Sequence, residues 1–332
     1  MPANLTPQYH EAEQRYRNAS TPAEKAACLE EMLRVIPKHK GTEKMRADMR
    51  RRLSKLKNDT GKGGGAKRSQ GPTVDPEGAG QIVMLGAPNA GKSALLRALS
   101  KATPEVADYP FTTRKPIPGM VRYENVQIQL VDFPPLSRDY TEPWMSQIAR
   151  NADALLWVVD LSAGDVLDEV ELILETLEAW KIRPVAQALS DEAYEDLPPG
   201  IEPLRVLLVG QKVDAPESPE NWEVLQELYG DQWPMIAVSA ERGDHLEALI
   251  RALYELLDVV RVYTKAPGKK ADRSSPFTLP SGSTVVDVAS AVHKDFAQSL
   301  KFARIWGVDK YDGQMVQRDY VVQEEDLIEL HM

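Results

Sequence analysis

The chain has 332 residues, of which 42% are hydrophobic and 27% charged, with a net charge of −10. That length fits about two domains, and the composition supplies a core, so a wholly disordered or fibrous chain is excluded. The longest apolar run, Ala154 to Val159, is far short of the roughly 20 residues of a membrane helix. No basic-then-apolar leader is visible, and the single cysteine, Cys28, leaves no intramolecular disulfide and no multi-cysteine metal site. Together these imply a cytoplasmic protein with no membrane partner.

Charge divides unevenly along the chain. Residues 1–70 hold 16 Lys/Arg against 8 Asp/Glu, while the remainder holds 24 against 42. A basic arm on an acidic body suits contact with nucleic acid, or with that acidic body itself. Residues 1–59 read as a helical hairpin broken at Pro37-Lys38-His39-Lys40-Gly41. In its second helix, capped by Thr42, Met45, Met49, Leu53 and Leu56 form one apolar stripe and Lys44, Arg46, Arg50, Arg51, Arg52, Lys55 and Lys57 crowd the other faces. Residues 60–80, rich in Gly and Pro, have the composition of a flexible linker.

From Gln81 the pattern changes. Short apolar runs at 82–85, 126–131, 155–159, 206–209 and 236–238 alternate with helical stretches at 166–180, 222–228 and 245–257. Such alternation predicts an α/β domain over 81–260 with a mostly parallel sheet covered on both faces. Residues 261–332, with turn signals at Pro280-Ser281-Gly282 and Asp312-Gly313 and one good helix over 285–298, read as a small α+β domain.

Chemistry concentrates in the α/β segment. Gly86-Ala87-Pro88-Asn89-Ala90-Gly91-Lys92-Ser93 fits G-x-x-x-x-G-K-[ST], with a strand before it and a helix after it. Glycines let backbone amides turn inward on phosphates, and the helix N-terminus favours their charge. Lys92 would bridge the β- and γ-phosphates and Ser93 would ligate magnesium. Asp132 ends the 126–131 strand, where such a fold needs a carboxylate for the metal. Gln211-Lys212-Val213-Asp214 follows the 206–209 strand, and Ser239-Ala240 ends the next. A carboxylate at Asp214 accepts two hydrogen bonds from guanine N1 and N2, which adenine cannot offer. The match to N-K-x-D is imperfect, because Gln211 stands where asparagine is expected.

These residues, together with Asp108-Tyr109-Pro110-Phe111-Thr112-Thr113, Pro118-Gly119-Met120 and Val131-Asp132, resemble the Obg/DRG group of GTPases. Phe277 to Thr284, His293-Lys294-Asp295-Phe296 and Ala303 to Gly307 resemble a TGS domain, a small β-grasp module. The segment Ile36 to Glu43 and its basic helix resemble the helical hairpin of DRG proteins. The resemblance implies a guanine-nucleotide-binding protein that hydrolyses GTP slowly and associates with an RNA-containing partner such as the ribosome. It implies a first switch at Phe111, Thr112 and Thr113, with Thr113 on magnesium and the γ-phosphate. Asn89 would ligate a potassium ion that bridges the phosphates, leaving Lys92, Thr113 and Asn89 as the catalytic set and Ser93, Thr113 and Asp132 as the metal set.

Two departures stand out. Asp132-Phe133-Pro134-Pro135 replaces the D-x-P-G of the family, and Pro135 has no N–H to offer the γ-phosphate. Leu136 stands where many small GTPases carry a water-orienting glutamine. The first departure favours the alternative of a nucleotide-binding adaptor with negligible turnover. The interval from Asp132 to Gln211 is too short for the extra domain of DRG proteins. In the C-terminal domain Lys294, Lys301 and Arg304 are candidate RNA contacts, without an aromatic-interleaved pattern around them. His293 and His331 read as structural, and Trp157, Trp180, Trp222, Trp233 and Trp306 as packing.

Overall fold

A computed structural model describes residues 22–36, 49–53, 72–100, 115–138, 141–269, 271 and 273–332 except 309, with isolated positions 8, 12, 14–16 and 46 nearer the N-terminus. Phe111, Thr112, Thr113, Met45, Leu56 and the break at 37–41 lie outside the described residues. The chain forms two compact units, one drawn from residues 1–70 and 189–199, the other from 71–188 and 200–332.

In the first unit, helix α1 (Pro22–Val35) buries Leu29 and Met32 with Ala12, Ile36 and Met49, and Leu53 packs beside them. Met49 and Leu53 are the described half of the predicted apolar stripe. Arg46 and Arg50 converge on Glu195, at 3.2 and 2.5 Å, and the Arg50 guanidinium lies over the Tyr194 ring. Part of the basic face is therefore answered within the unit by the acidic segment that joins it.

The second unit begins with β1 (Gln81–Leu85), α2 (Lys92–Ser100), β2 (Ile117–Tyr123) and β3 (Val126–Asp132). Next come α3 (Pro143–Asn151), β4 (Ala154–Asp160), α4 (Val166–Ala179) and β5 (Ile182–Val185). After the first unit's α5 (Asp191–Glu195) follow β6 (Glu202–Gln211), α6 (Ser218–Tyr229), β7 (Met235–Val238) and α7 (Leu246–Leu257). The strand order is β2-β3-β1-β4-β6-β5, with β7 also on β6, and only β2 is antiparallel to its neighbour. Strands β1 and β4 are buried at every position because helices cover both faces, which is why they read as unbroken apolar runs. One core lies under α3, α4 and α6, and a second under α2 and α7.

Strand β2 escapes a sequence reading because Pro118 and Gly119 break its pattern. It is an edge strand, where a missing N–H costs no ladder bond. The expected flexible linker also needs correction at its C-terminal end. Residues 72–80 lie along β3, with Ala79 N donating to Gln127 O at 2.7 Å and Val74 packed against the core. Gly78 makes this possible: its φ is +71°, and a Cβ would sit 2.2 Å from Gln127 O. The same strap explains the buried glutamine pair on the polar side of β3. Gln81 Nε2 donates to Gln129 Oε1 (2.7 Å), and Gln129 Nε2 to Asp75 O (3.1 Å).

A second sheet follows, built from β8 (Val259–Lys265), β9 (Phe277–Pro280), β10 (Phe302–Trp306), β11 (Gln314–Val316) and β12 (Asp326–His331), in the order β11-β10-β12-β8-β9. Helices α8 (Val285–Val292) and α9 (Lys294–Ser299) accompany it, and α8 buries Val285, Val288 and Ala289 against its inner face. The single helix expected over 285–298 is two, because His293 is extended (φ −168°) and its ring accepts from Asp295 N at 3.2 Å to cap α9. Another correction concerns β10. Phe302, Arg304 and Trp306 alternate with the core residues Ala303 and Ile305, so an aromatic-interleaved cation is present at strand period.

Arg261 joins the second sheet to the first. It is 5% exposed, and its guanidinium binds Glu124 and Asn125 of the β2–β3 turn and Glu324 and Glu325 before β12. The Tyr123 and Tyr254 rings, stacked at 4.6 Å, lie 5.6 and 5.3 Å from it. Arg261→Leu should lower the stability of the chain by about 2 kcal/mol, since several charged hydrogen bonds are lost while the carboxylates left behind reach solvent. Glu124→Gln should cost under about 1 kcal/mol, because that carboxylate is half exposed. Urea unfolding of both variants checks the ratio; equal costs would remove Arg261 as the organising charge.

Candidate nucleotide-binding site

The ends of β1 and β3 lie side by side, Met84 in register with Asp132, and the loop after β1 turns over them into α2. Two left-handed residues make that turn, Asn89 (φ 65°) and Gly91 (φ 90°). Lys92 Nζ is buried and donates back to the loop, to Gly86 O at 2.9 Å and Ala87 O at 3.0 Å. Burial lowers its pKa, against the opposing pull of Asp132 and Glu169. The ammonium is thus held at the loop centre on two carbonyls, with no carboxylate in direct contact among the described residues.

Ser93 Oγ donates to Asp132 Oδ2, and the buried Asp132 Oδ1 has no hydrogen-bond partner among the described residues. Burial raises the Asp132 pKa, with Ser93, Lys92 and Arg97 pulling it down. A hydroxyl and a carboxylate brought together, with one buried oxygen unsatisfied, form an oxygen donor set that fits magnesium. Just after β3 the chain packs inward: Phe133 and Leu136 are buried, Phe133 meets Trp144 edge to face at 5.5 Å, and Leu136 N donates to Gly86 O at 3.1 Å. Leu136 is a fully buried core residue, and the first N–H beyond Pro135 is already engaged.

At the base end, the Gln211 side chain is buried and Oε1 accepts from Ala240 N at 3.3 Å. Its stem lies under the phosphate loop, where a Cβ on Gly91 would come within 2.7 Å of Gln211 Cγ. The residue that departs from the asparagine pattern therefore spans from β6 to the phosphate loop. Lys212, also left-handed (φ 66°), pairs with Asp160 Oδ2. Asp214 is exposed, and a hydrogen bond from Ser239 holds its carboxyl below the usual range. So Gly86 to Ser93, Asp132, Gln211, Lys212, Asp214, Ser239 and Ala240 all follow or end strands β1, β3, β6 and β7 at the carboxyl edge of one sheet, where open α/β sheets place their ligands.

Asp160 and Glu169 were not among the sequence candidates. Asp160 ends β4 as Asp132 ends β3, and that parallel was the available signal. Its side chain accepts from Ser162 N and Oγ (2.9 and 2.6 Å), and its N–H donates to Glu169 Oε2 at 2.8 Å. Burial pushes the Glu169 carboxyl up.

Asp132→Asn should make nucleotide affinity about ten- to a hundredfold less responsive to magnesium, the scale of lost ligand support. In the parent chain that response should fade on acidification at a higher pH than an ordinary carboxylate gives, because the folded pKa is raised. Stability runs the other way. The folded state holds its proton longer than the unfolded state, so the buried carboxylate loses stability as pH rises through that window, and the asparagine variant should not. Fluorescent-nucleotide titrations across pH with and without magnesium read the first effect, and a pH-independent magnesium response in the parent would refute it.

Residues 81–190 match the family described as 50S ribosome-binding GTPase, and residues 260–332 match the TGS domain. Developmentally-regulated GTP-binding protein 1 of Xenopus laevis is 28% identical over 361 residues, covering 92% of this chain and 97% of that protein. An uncharacterized GTP-binding protein of Methanocaldococcus jannaschii is 27% identical over 352 residues, covering 90% of each. The structure of the Schizosaccharomyces pombe YchF GTPase aligns with a TM-score of 0.51 at 15% identity, covering 79% of this chain and all of that one, which speaks for the fold.

Proposed function

We propose that this chain is a GTPase of the Obg/DRG type with a C-terminal TGS domain, in keeping with its matches to the GTPase and TGS models and to GTP-binding relatives, and that it hydrolyses GTP by positioning and electrostatics, without a general base. The observation that carries this reading is the loop centre itself. Lys92 is buried on two carbonyls that phosphate oxygens would replace, and Asp132 Oδ1 is buried without a partner among the described residues. Bound magnesium would supply positive charge to the β- and γ-phosphate oxygens. Ser93 and Asp132 would hold it, with Thr113 from the first switch. Lys92 neutralises charge on the bridging oxygens as water attacks phosphorus and the bond to the GDP oxygen breaks, yielding GDP and phosphate. Asp214 reads guanine, and Gln211 keeps the base-reading and phosphate loops in register. The exposed Asn89, whose side chain has no partner among the described residues, is free to ligate potassium, whose charge would stand in for an arginine finger.

The partner we propose is RNA-containing, the ribosome in particular, on the basic N-terminal segment and the TGS domain. The description of the matching GTPase family and the charge division support it. Its compartment is the cytoplasm, which suits the one cysteine; among the described residues no helix is long and apolar enough to cross a membrane.

Phosphate release from saturating GTP in magnesium, in potassium and then in sodium buffer, tests the reading. We expect turnover above the protein-free rate and faster in potassium; a chain that releases no phosphate in either buffer would be the adaptor, which the family match does not favour. Pro135 sets the size of the switch. Pro135→Gly restores an N–H beside the γ-phosphate and should raise the preference for a GTP analogue over GDP by about tenfold, the worth of one charge-assisted hydrogen bond. An unchanged ratio in competition titrations would show that the packing just after β3, not the missing N–H, limits discrimination.

A further inference from the structure

The second sheet has one face covered by α8, and the alternate residues of its strands lie on the other. On that outer face the register sets three rows. Tyr263, Leu327 and Trp306 form the first, Lys265, Glu329, Arg304 and Met315 the second, and His331 with Phe302 the third. The β8 end meets the β2–β3 turn, where Tyr263 Oη accepts from Asn125 Nδ2 at 2.6 Å. The β10–β11 end is open: Arg304 is exposed and Met315 is 62% exposed.

The chemistry of the open half is aromatic and cationic. Glu329 is paired with the Lys265 ammonium at 2.9 Å and hydrogen-bonded to His331 Nε2 at 2.8 Å. Arg304, the cross-strand neighbour of Glu329, makes no ion pair among the described residues. Phe302 lies flat against His331, ring centroids 4.6 Å apart and 9° from parallel, and the Lys265 ammonium sits 3.8 Å over the Trp306 ring. Both rings are therefore held in place before any ligand arrives, with a free guanidinium between them.

We propose that this outer face binds single-stranded RNA, with bases stacking at Phe302 and Trp306 and Arg304 taking a phosphate between them. The inference rests on the reading that the partner contains RNA and names the surface that meets it. Complementarity of charge selects a polyanion over an acidic-poor apolar partner, and the rings select one with unpaired bases. Residues on one strand face repeat every ~6.7 Å, a step that splayed nucleotides match and bases stacked at about 3.4 Å in a duplex do not.

The test is fluorescence anisotropy of the full-length chain with labelled oligo(U) and oligo(A) of roughly twelve nucleotides, within the usual site size, and with an RNA duplex of equal length. Single strands should bind at least about tenfold more tightly than the duplex. Phe302→Leu should weaken them by about five- to a hundredfold, and Phe302→Tyr, which keeps the ring, should restore binding and so exclude a merely misfolded sheet. Arg304→Ala should flatten the salt dependence by about 0.7 in logarithmic slope. Single-strand binding that survives both Phe302→Leu and Arg304→Ala overturns this surface and leaves the RNA reading to the N-terminal segment. Failure of the parent chain to bind any RNA overturns both and leaves the face to a protein.

Discussion

Asp214→Asn is expected to exchange guanine selectivity for xanthine selectivity. Asp214 is exposed just beyond β6, and the hydrogen bond from Ser239 holds its carboxyl below the usual range. As a carboxylate it accepts from both N1–H and the exocyclic amine of guanine. An amide presents its own N–H₂ to that amine, so two donors face one another, whereas the C2 carbonyl of xanthine would accept from the amide. A site built around hydrogen bonds rejects a mismatched partner by about 10⁴-fold or more, and an exposed site by less. The affinity for GDP should thus fall by about a thousandfold and xanthosine diphosphate should bind in its place. Displacement titrations with the two diphosphates measure it. An asparagine variant that keeps GDP within threefold and ignores the xanthine nucleotide would show that another group reads the base.

Lys92→Met is expected to abolish useful hydrolysis, with turnover lower by about 10²- to 10³-fold, the cost of one preorganised charge at a reacting centre. The same substitution should leave the chain as stable or more stable. The ammonium is buried on two carbonyl oxygens alone, and burial has lowered its pKa. A depressed lysine pKa means that the unfolded state binds the proton more tightly, so stability rises with pH between the folded and unfolded values. Methionine fills similar volume and removes that dependence. Thermal unfolding at neutral and alkaline pH, beside single-turnover phosphate release, reads both halves. A variant less stable than the parent at neutral pH would mean that the loop needs the ammonium for its own fold.

The two outcomes divide the site into parts of different legibility. Lys92, Ser93 and the loop around them stand within a few residues of each other, and Asp132 is marked by the end of its strand. Leu136 shows the contrary case. Read from its place after Asp132 it belongs beside the attacking water, yet its side chain is in the core and its N–H on Gly86 O. The pull of the apolar cluster around Phe133 and Trp144 decided that, and the spacing from Asp132 does not announce it. Gln211 is similar: its sequence shows a defect in a motif, and only the approach of β6 to Gly91 shows what the longer side chain spans.

The sequence by itself, though β2, β5 and α3 escaped it, marked β1, β3, β4, β6 and β7 with the helices α2, α4, α6 and α7, the phosphate-loop motif, and the candidate metal carboxylate and base-reading aspartate. Each of these is written in contiguous residues whose periodicity or backbone freedom is a local property. Tertiary structure alone decided that β2 is an edge strand that tolerates Pro118, that residues 72–80 strap β3, that Asp160 and Glu169 border the site, and that Phe302, Arg304 and Trp306 share an open face. These depend on which segments pair across the chain. Hydrogen-bond partners and burial are fixed by packing between residues tens of positions apart, and local patterns carry no record of them.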